Sequence, residues 1–559
     1  MPLDDDVVER AVRNLTGYGP LSPLLAGTGF SRSSARGRHP RQIGDDRSVT
    51  TTWLGGLRAK GARISKWVIP LLCPVLFAVF ILLSLFAQNQ SEVELSLLWR
   101  PLAVCVMAAL LLYGLFLAIT KDRAKAGVLA SLVVIAFFDY GMLFEHRSRW
   151  FIVLWLALLA VGVSTVLHTK RDLVNLTAVL VVIAAVQAVP PAVEIARYQA
   201  DHPGVAAADP RLWPTVLDPP VVASGDPRPD IFVIIPDDYA RADILEQYFH
   251  YDDTEFLDQL EQRGFTINDN GRSPYSDSEM NVAALLNMDY LTNFTDVLGT
   301  DSPDVRPVQR VNEDNRAARL LASVGYHYVH IDTDEVTYGG GNPSVSPFAP
   351  PDSFANLWME KSILGQVGGR LGFDRSSMND RFRNAIGEEF AELGAIRTGD
   401  QPKFVVFHTL LPHDPYLYSA QGEPVDHVVH TDLDTSSDAG RAQYLEQLDH
   451  LNGLLLDTID QIQAGARTPP VIVLQADEGF QAEPEVFGEQ AMQDIRVKGL
   501  SAFALPGLDQ PGLPSPPNGV NALRFVFNRY LGTSYEMLDD RSYAEEDLPY
   551  EFSNEVPLR

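Results

Sequence analysis

Three short apolar runs in the C-terminal half of the chain end in residues that can do chemistry. Ile231–Ile235 leads into Pro236, Asp237 and Asp238; Phe404–Phe407 leads into His408 and then Pro412-His413-Asp414-Pro415; Val471–Leu474 leads into Asp477-Glu478-Gly479. Each run has the length and β-branched content of a strand buried in a parallel sheet. In open parallel sheets, ligands bind beyond the carboxyl ends of the strands. Carboxylates brought to one edge from separate strands oppose each other's ionisation unless a cation neutralises them, and a hard divalent ion would do so. A serine-rich turn, Arg272-Ser-Pro-Tyr-Ser-Asp-Ser-Glu279, comes directly before the apolar helical stretch Met280–Leu291. A hydroxyl there sits near unpaired backbone N–H groups and the positive end of the helix dipole, a place for an attacked phosphate. Ser278 is the candidate nucleophile; the plainer alternative is that Ser276 or Ser278 merely caps the helix.

Helical patterns separate the strands. Thr254–Arg263 is one, and Asn315–Val324, stopped by Gly325, is another. Strands alternating with helices predict an α/β domain with a mostly parallel central sheet. His327 and His330 flank a further strand after Gly325-Tyr326 and are read as structural, while His408 fits a hydrogen-bonded core histidine as well as a ligand. Gly339-Gly340-Gly341 reads as a flexible loop rather than a phosphate cradle.

The chain that carries these groups is physically divided. Its 559 residues bear a net charge of -28, yet Trp67–Pro191 is apolar and almost uncharged. The acidic remainder excludes nucleic acid as a natural partner. The two cysteines, Cys73 and Cys105, both lie in apolar runs, so the polar region has no thiol for a disulfide, a zinc-thiolate site or a nucleophile. Five runs, Trp67–Ala87, Pro101–Thr120, Gly127–Phe144, Trp150–Leu167 and Leu173–Val189, are each about long enough to cross a bilayer as helix. Asp139 and Tyr140 interrupt the third.

Basic residues collect before the first run (Arg58, Lys60, Arg63, Lys66) and in the second and fourth loops (Lys121, Arg123, Lys125; Lys170, Arg171). The asymmetry puts the N-terminus inside and everything after the fifth span outside. Residues 1–66 have no apolar periodicity and read as a disordered cytoplasmic tail. Residues 191–228, dense in Pro, Ala and Asp, read as an extended linker. Residues 229–559 then form the extracytoplasmic domain.

The ordered set of pieces resembles the sulfatase-like branch of the alkaline phosphatase superfamily, and more narrowly its membrane-bound members of the lipoteichoic acid synthase type. The resemblance runs from Asp230 to about Tyr543. It takes in Asp237–Asp243, Arg263-Gly-Phe, the serine-rich turn, Leu286–Leu291, Leu321–Tyr326, Leu411-Pro-His413, the strand into Asp477, and Asn521–Leu531. It implies a metal-dependent phosphotransferase or phosphodiesterase acting on a membrane lipid or lipid-linked envelope polymer. The family's first acidic metal ligand falls on Asp237, its nucleophilic threonine on Ser278, its Asp-His metal pair on Asp477 and Glu478, and its substrate-binding histidine on His413.

Glu478 departs from the family's histidine. With Asp237, Asp238, Ser278, Asp477 and Glu478 as the metal set, every donor is oxygen, which favours Mg²⁺, Mn²⁺ or Ca²⁺ over Zn²⁺. The chain has no Cys/Ser-x-Pro-x-Arg motif near Ser278, which sets aside formylglycine-dependent sulfate chemistry. The competing expectation is a catalytically silent member of the fold that binds an envelope glycan or a partner protein, with Glu478 as its support.

Overall fold

The computed structural model describes residues 47–144, 150–221, 228–332, 354, 357–358, 361–363, 375–397, 399, 401–429, 435–507, 518–544 and 548–557. Gly339–Gly341 and residues 1–46 lie outside these, as do the side chains of Asp139 and Tyr140.

Five long helices come first: α1 (Arg47–Gln88), α2 (Trp99–Thr120), α3 (Arg123–Phe144), α4 (Trp150–His168) and α5 (Val174–Asp201). Among the described residues, four stretches are long and apolar enough to cross a membrane: Trp67–Gln88, Leu95–Thr120, Phe151–His168 and Val174–Asp201. Helix α3 occupies the position expected for the third span. The α1–α3 contact is tight. A Cβ on Gly127 would stand 2.5 Å from the Pro70 carbonyl oxygen, so only glycine lets the two backbones approach this closely.

Two expected boundaries move. Helix α1 begins at Arg47, inside the segment read as a disordered tail. The extended linker is also corrected, because α5 continues through Pro190-Pro191 to Asp201. Each proline forfeits one backbone donor, but the helix persists because its extension is packed. Ile195 is buried, the Arg306 guanidinium lies 5.1 Å over the Tyr198 ring, and Arg306 also donates to Gln199 Oε1 at 3.5 Å. Beyond it, Leu212 and Trp213 are buried against Phe294 and Tyr550 rather than strung out in solvent.

The C-terminal domain is built on a six-stranded sheet, ordered β2-β6-β5-β1-β4-β3. Its strands are β1 (Ile231–Asp237), β2 (Phe265–Ile267), β3 (His327–Asp332), β4 (Lys403–Pro412), β5 (Val471–Gln475) and β6 (Ser501–Ala504). β5-β1-β4-β3 are parallel, while β6 pairs antiparallel with both β5 and β2.

The near-continuous apolar runs follow from burial on both faces. One face, with Phe232, Ile234, Val405, Phe407, Ile472 and Leu474, packs under the long helix α11 (Asp438–Gly465). The other, with Ile231, Val233, Ile235, Phe404, Val406, Val471 and Val473, packs under α7 (Ser278–Asn287) and α13 (Asn521–Tyr530). Further helices of the domain are α6 (Thr254–Gln262), α8 (Arg306–Glu313), α9 (Arg316–Ser323), α10 (Arg375–Ala395) and α12 (Glu489–Val497). Helices α6 and α9 stand where the apolar periodicity predicts them, with Asn315 capping α9 through Ala318 N–H.

Candidate active site

The carboxyl ends of β1, β4 and β5 meet beside the N-terminus of α7. In β1, Asp237 is the last strand residue and Asp238 turns the chain, in the left-handed region at φ 61°. Helix α11 holds that turn: the Tyr444 hydroxyl donates to Asp238 O at 2.9 Å and accepts from Ala240 N–H at 3.1 Å. The same helix holds the β4 exit, where Gln447 Nε2 donates to His413 O at 2.8 Å.

At β5, Asp477 Oδ1 accepts from Glu478 N–H at 2.7 Å and Asp238 N–H at 3.3 Å, which ties the β5 and β1 ends together. Gly479 and Gly499 permit the close crossing that follows. A Cβ on Gly479 would stand 2.0 Å from Ile495 O, and one on Gly499 would stand 2.8 Å from Glu478 O.

The turn before α7 settles which residue caps the helix. Asp277, not a serine, is the N-cap; its side chain accepts from Met280 N–H at 2.8 Å. Asn281 braces the turn through two 2.8 Å bonds to the Tyr275 backbone. The Ser278 hydroxyl is therefore left for the site, 3.4 Å from both Asp237 Oδ1 and Glu478 Oε1.

All five residues of the expected metal set thus converge, as does His413, whose Nε2 is 3.9 Å from Asp238 Oδ2. Donor atoms of Asp237, Asp238 and Glu478 lie within 4.8 Å of one another. The four acids are only 3–5% exposed. Asp238 Oδ1 and Glu478 Oε2 are buried without a hydrogen-bond partner. Buried, mutually repelling carboxylates with oxygens left unpaired fit a divalent cation.

The electrostatics express the same crowding. Burial, then the Asp477 charge, pushes the Asp237 carboxyl well above the usual range. Burial also drives Asp238 up to about 7, although His413 opposes the shift. Glu478 is raised well above its ordinary value by burial and by Asp238, Asp477 and Asp237. Asp477 goes the other way: burial would raise it, but the hydrogen bond and charge of His408 outweigh burial. His413, which burial alone would lower, is pushed up to about 10 by Asp237, Asp238 and Asp414.

One imidazole stands beside the expected oxygen donors. His408, 1% exposed, places Nε2 3.3 Å from Asp477 Oδ2, and donor atoms of Asp237, His408 and Asp477 form a second group within 4.8 Å. An imidazole nitrogen, a donor that suits Zn²⁺, thus lies beside the oxygen donors of Asp237 and Asp477. Strand alternation carries the missed signal. His408 is even-numbered like Phe404 and Val406, and so falls on the face shared by Val233, Ile235 and α7. In contrast, His327 and His330 lie on β3, where the sequence places them.

A sequence profile of the sulfatase family matches residues 229–505. The C-terminal periplasmic domain of EcEptC from Escherichia coli superposes with a TM-score of 0.38 at 12% identity, covering 61% of this chain and 96% of that one. The corresponding domain of the phosphoethanolamine transferase EptC from Campylobacter jejuni gives 0.35 at 11% identity, covering 56% and 92%. A protein in the alkaline phosphatase superfamily from Vibrio parahaemolyticus gives 0.36 at 16% identity, covering 63% and 80%. No curated protein matches the chain. Residues 229–505, a mostly parallel sheet with its acidic groups gathered at the strand ends, form a sulfatase-family domain, preceded by an N-terminal region in which, among the described residues, four helices are long and apolar enough to cross a membrane.

Proposed function

We propose that this protein is a metal-dependent phosphotransferase or phosphodiesterase of the inner membrane, acting from the outer side on a lipid-linked or envelope substrate through Ser278. The observation that carries the reading is the Ser278 hydroxyl, released from capping by Asp277 and facing two carboxylates at 3.4 Å. The family match at residues 229–505 and the apolar helices that precede them support it.

A divalent ion would be held by Asp237, Asp238, Asp477, Glu478 and Ser278, and when bound it supplies positive charge that acidifies the serine and offsets the charge of the phosphoryl oxygens. Ser278 Oγ passes its proton to the neighbouring carboxylate of Glu478, 3.4 Å away. Oγ then forms a bond to phosphorus while the bond to the leaving oxygen breaks, and a phosphoserine results. His413, whose Nε2 stands 3.9 Å from Asp238 Oδ2 at the edge of the cluster, gives its proton to the leaving oxygen. In the second half, an acceptor alcohol or water loses its proton to His413 and attacks phosphorus. Ser278 Oγ leaves and recovers a proton from Glu478. The positive end of α7 faces the phosphoryl group throughout.

The test uses the full chain in detergent. Wild type is expected to retain a divalent ion, to turn over a generic phosphodiester and to yield a phosphoserine peptide at position 278 after acid quench. Ser278→Ala should keep the ion and lose both activities. If wild type holds no ion and matches Ser278→Ala in turnover, the enzyme reading fails and the silent glycan- or partner-binding reading replaces it.

A further inference from the structure

The Asp-Glu pair at the end of β5 raises a specific question of coordination chemistry. The site has Glu478 where the resemblance leads one to expect a nitrogen ligand, yet β4 supplies an imidazole to a second donor group, with Asp237 and Asp477, that shares Asp237 with the group of Asp238 and Glu478. We infer that His408 is the nitrogen ligand of the metal centre, delivered from the neighbouring strand. This inference rests on the metal-dependent reading above.

Three observations carry it. First, His408 Nε2 and Asp477 Oδ2 are 3.3 Å apart, close to the roughly 3.4 Å separating two donors each about 2.1 Å from one tetrahedral ion. Second, Asp477 Oδ1 is committed to the Glu478 and Asp238 N–H groups, which turns Oδ2 toward the imidazole. Such outer hydrogen bonds are what orient a ligating carboxylate. Third, β4 fixes the position of His408, because Ile235 of β1 is its register partner. The ring is 1% exposed, so it has no room to turn away into solvent. Glu478 Oε1 and Asp237 Oδ1, meanwhile, both remain within reach of the Ser278 hydroxyl. The nitrogen has moved from one strand end to the next, leaving a carboxylate beside the nucleophile.

The alternative is a structural histidine that only pairs with Asp477, and direct coordination separates the two. Full-length protein in detergent, stripped and reloaded with Mn²⁺, would be examined by electron spin echo envelope modulation for the ¹⁴N coupling of a directly bound imidazole. The expected result is a coupling present in wild type and in His413→Gln and absent from His408→Gln. If His408→Gln does not fold, the His413→Gln protein labelled with [¹⁵N]histidine serves instead, since the coupling must then shift to ¹⁵N. A coupling that survives in His408→Gln, vanishes in His413→Gln, or is missing from Mn²⁺-loaded wild type overturns the assignment. Wild type that binds no Mn²⁺ at all defeats the metal-dependent reading first and the assignment with it.

Discussion

Arg310, on helix α8 of the sulfatase-family domain, forms an ion pair with Glu94, in the loop that follows the first apolar helix. The contact is partly exposed and is reinforced by Val305 N–H donating to Ser91 O at 3.1 Å. A pair of this kind contributes about 0.2–1 kcal/mol. The neighbouring Arg306–Asp304 pair is different, being 2.6 Å long with both side chains buried.

Arg310→Ala should therefore lower stability by less than about 1 kcal/mol, whereas Arg306→Ala should cost about 3–5 kcal/mol because it leaves Asp304 buried and uncompensated. Chemical denaturation in detergent measures both. Equal losses would contradict the distinction between the two pairs.

Metal-stripped protein should lose stability as pH rises. Asp238 is raised to about 7, as is Asp253, which burial shifts even though Tyr239 and Asn452 bond to it. Between about pH 4 and pH 7 the folded state holds protons that the unfolded chain, with carboxyl pKa values near 4, has already released. Stability then falls with pH across that window, because the folded state binds more protons than the unfolded one. His413, raised to about 10, extends the decline upward. The melting temperature of the stripped protein should be lower at pH 8 than at pH 5, and reloading with a divalent ion should remove the part due to Asp238 and His413 and leave the part due to Asp253. A flat or rising profile would contradict the shifts.

Gly479→Ala should distort the metal cluster from outside it. The new Cβ would meet Ile495 O at 2.0 Å, and the clash can be relieved only by moving the backbone next to Glu478. Overpacking of this kind costs about 1–3 kcal/mol. Divalent-ion affinity, read by calorimetry, should fall by at least about tenfold, as it does when groups supporting a metal ligand are lost. Unchanged affinity would show that the β5 end tolerates displacement.

Glu478→His should shift metal preference toward Zn²⁺, because it would put an imidazole into the buried donor group of Asp237 and Asp238, beside the group of Asp237 and Asp477 that holds His408. Competition between Zn²⁺ and Mg²⁺ in the purified full chain measures this. An unaltered ratio would place Glu478 outside the coordination sphere and leave it the proton-transfer role alone.

Much of the molecule is legible in one dimension. The apolar runs ending in Asp237, His408 and Asp477 mark buried strands because sheets covered on both faces need residues without polar alternation. The serine-rich turn before an apolar stretch marks a helix start, and all six residues named from the sequence as metal set or catalytic groups meet at one sheet edge.

What sequence could not decide depends on neighbours far away in the chain. The β1–β4 register, which sets His408 level with Ile235, is a property of pairing between strands, so a histidine ambiguous on its own strand becomes part of the cluster only once the sheet is assembled. The Pro190-Pro191 pair signals a helix end locally, yet the stacking of Tyr198 against Arg306 and the burial of Ile195 sustain the helix to Asp201. Local propensity sets which elements form and in what order. Packing sets where they stop and which side chains share a site, because those energies come from surfaces that touch only in the folded protein.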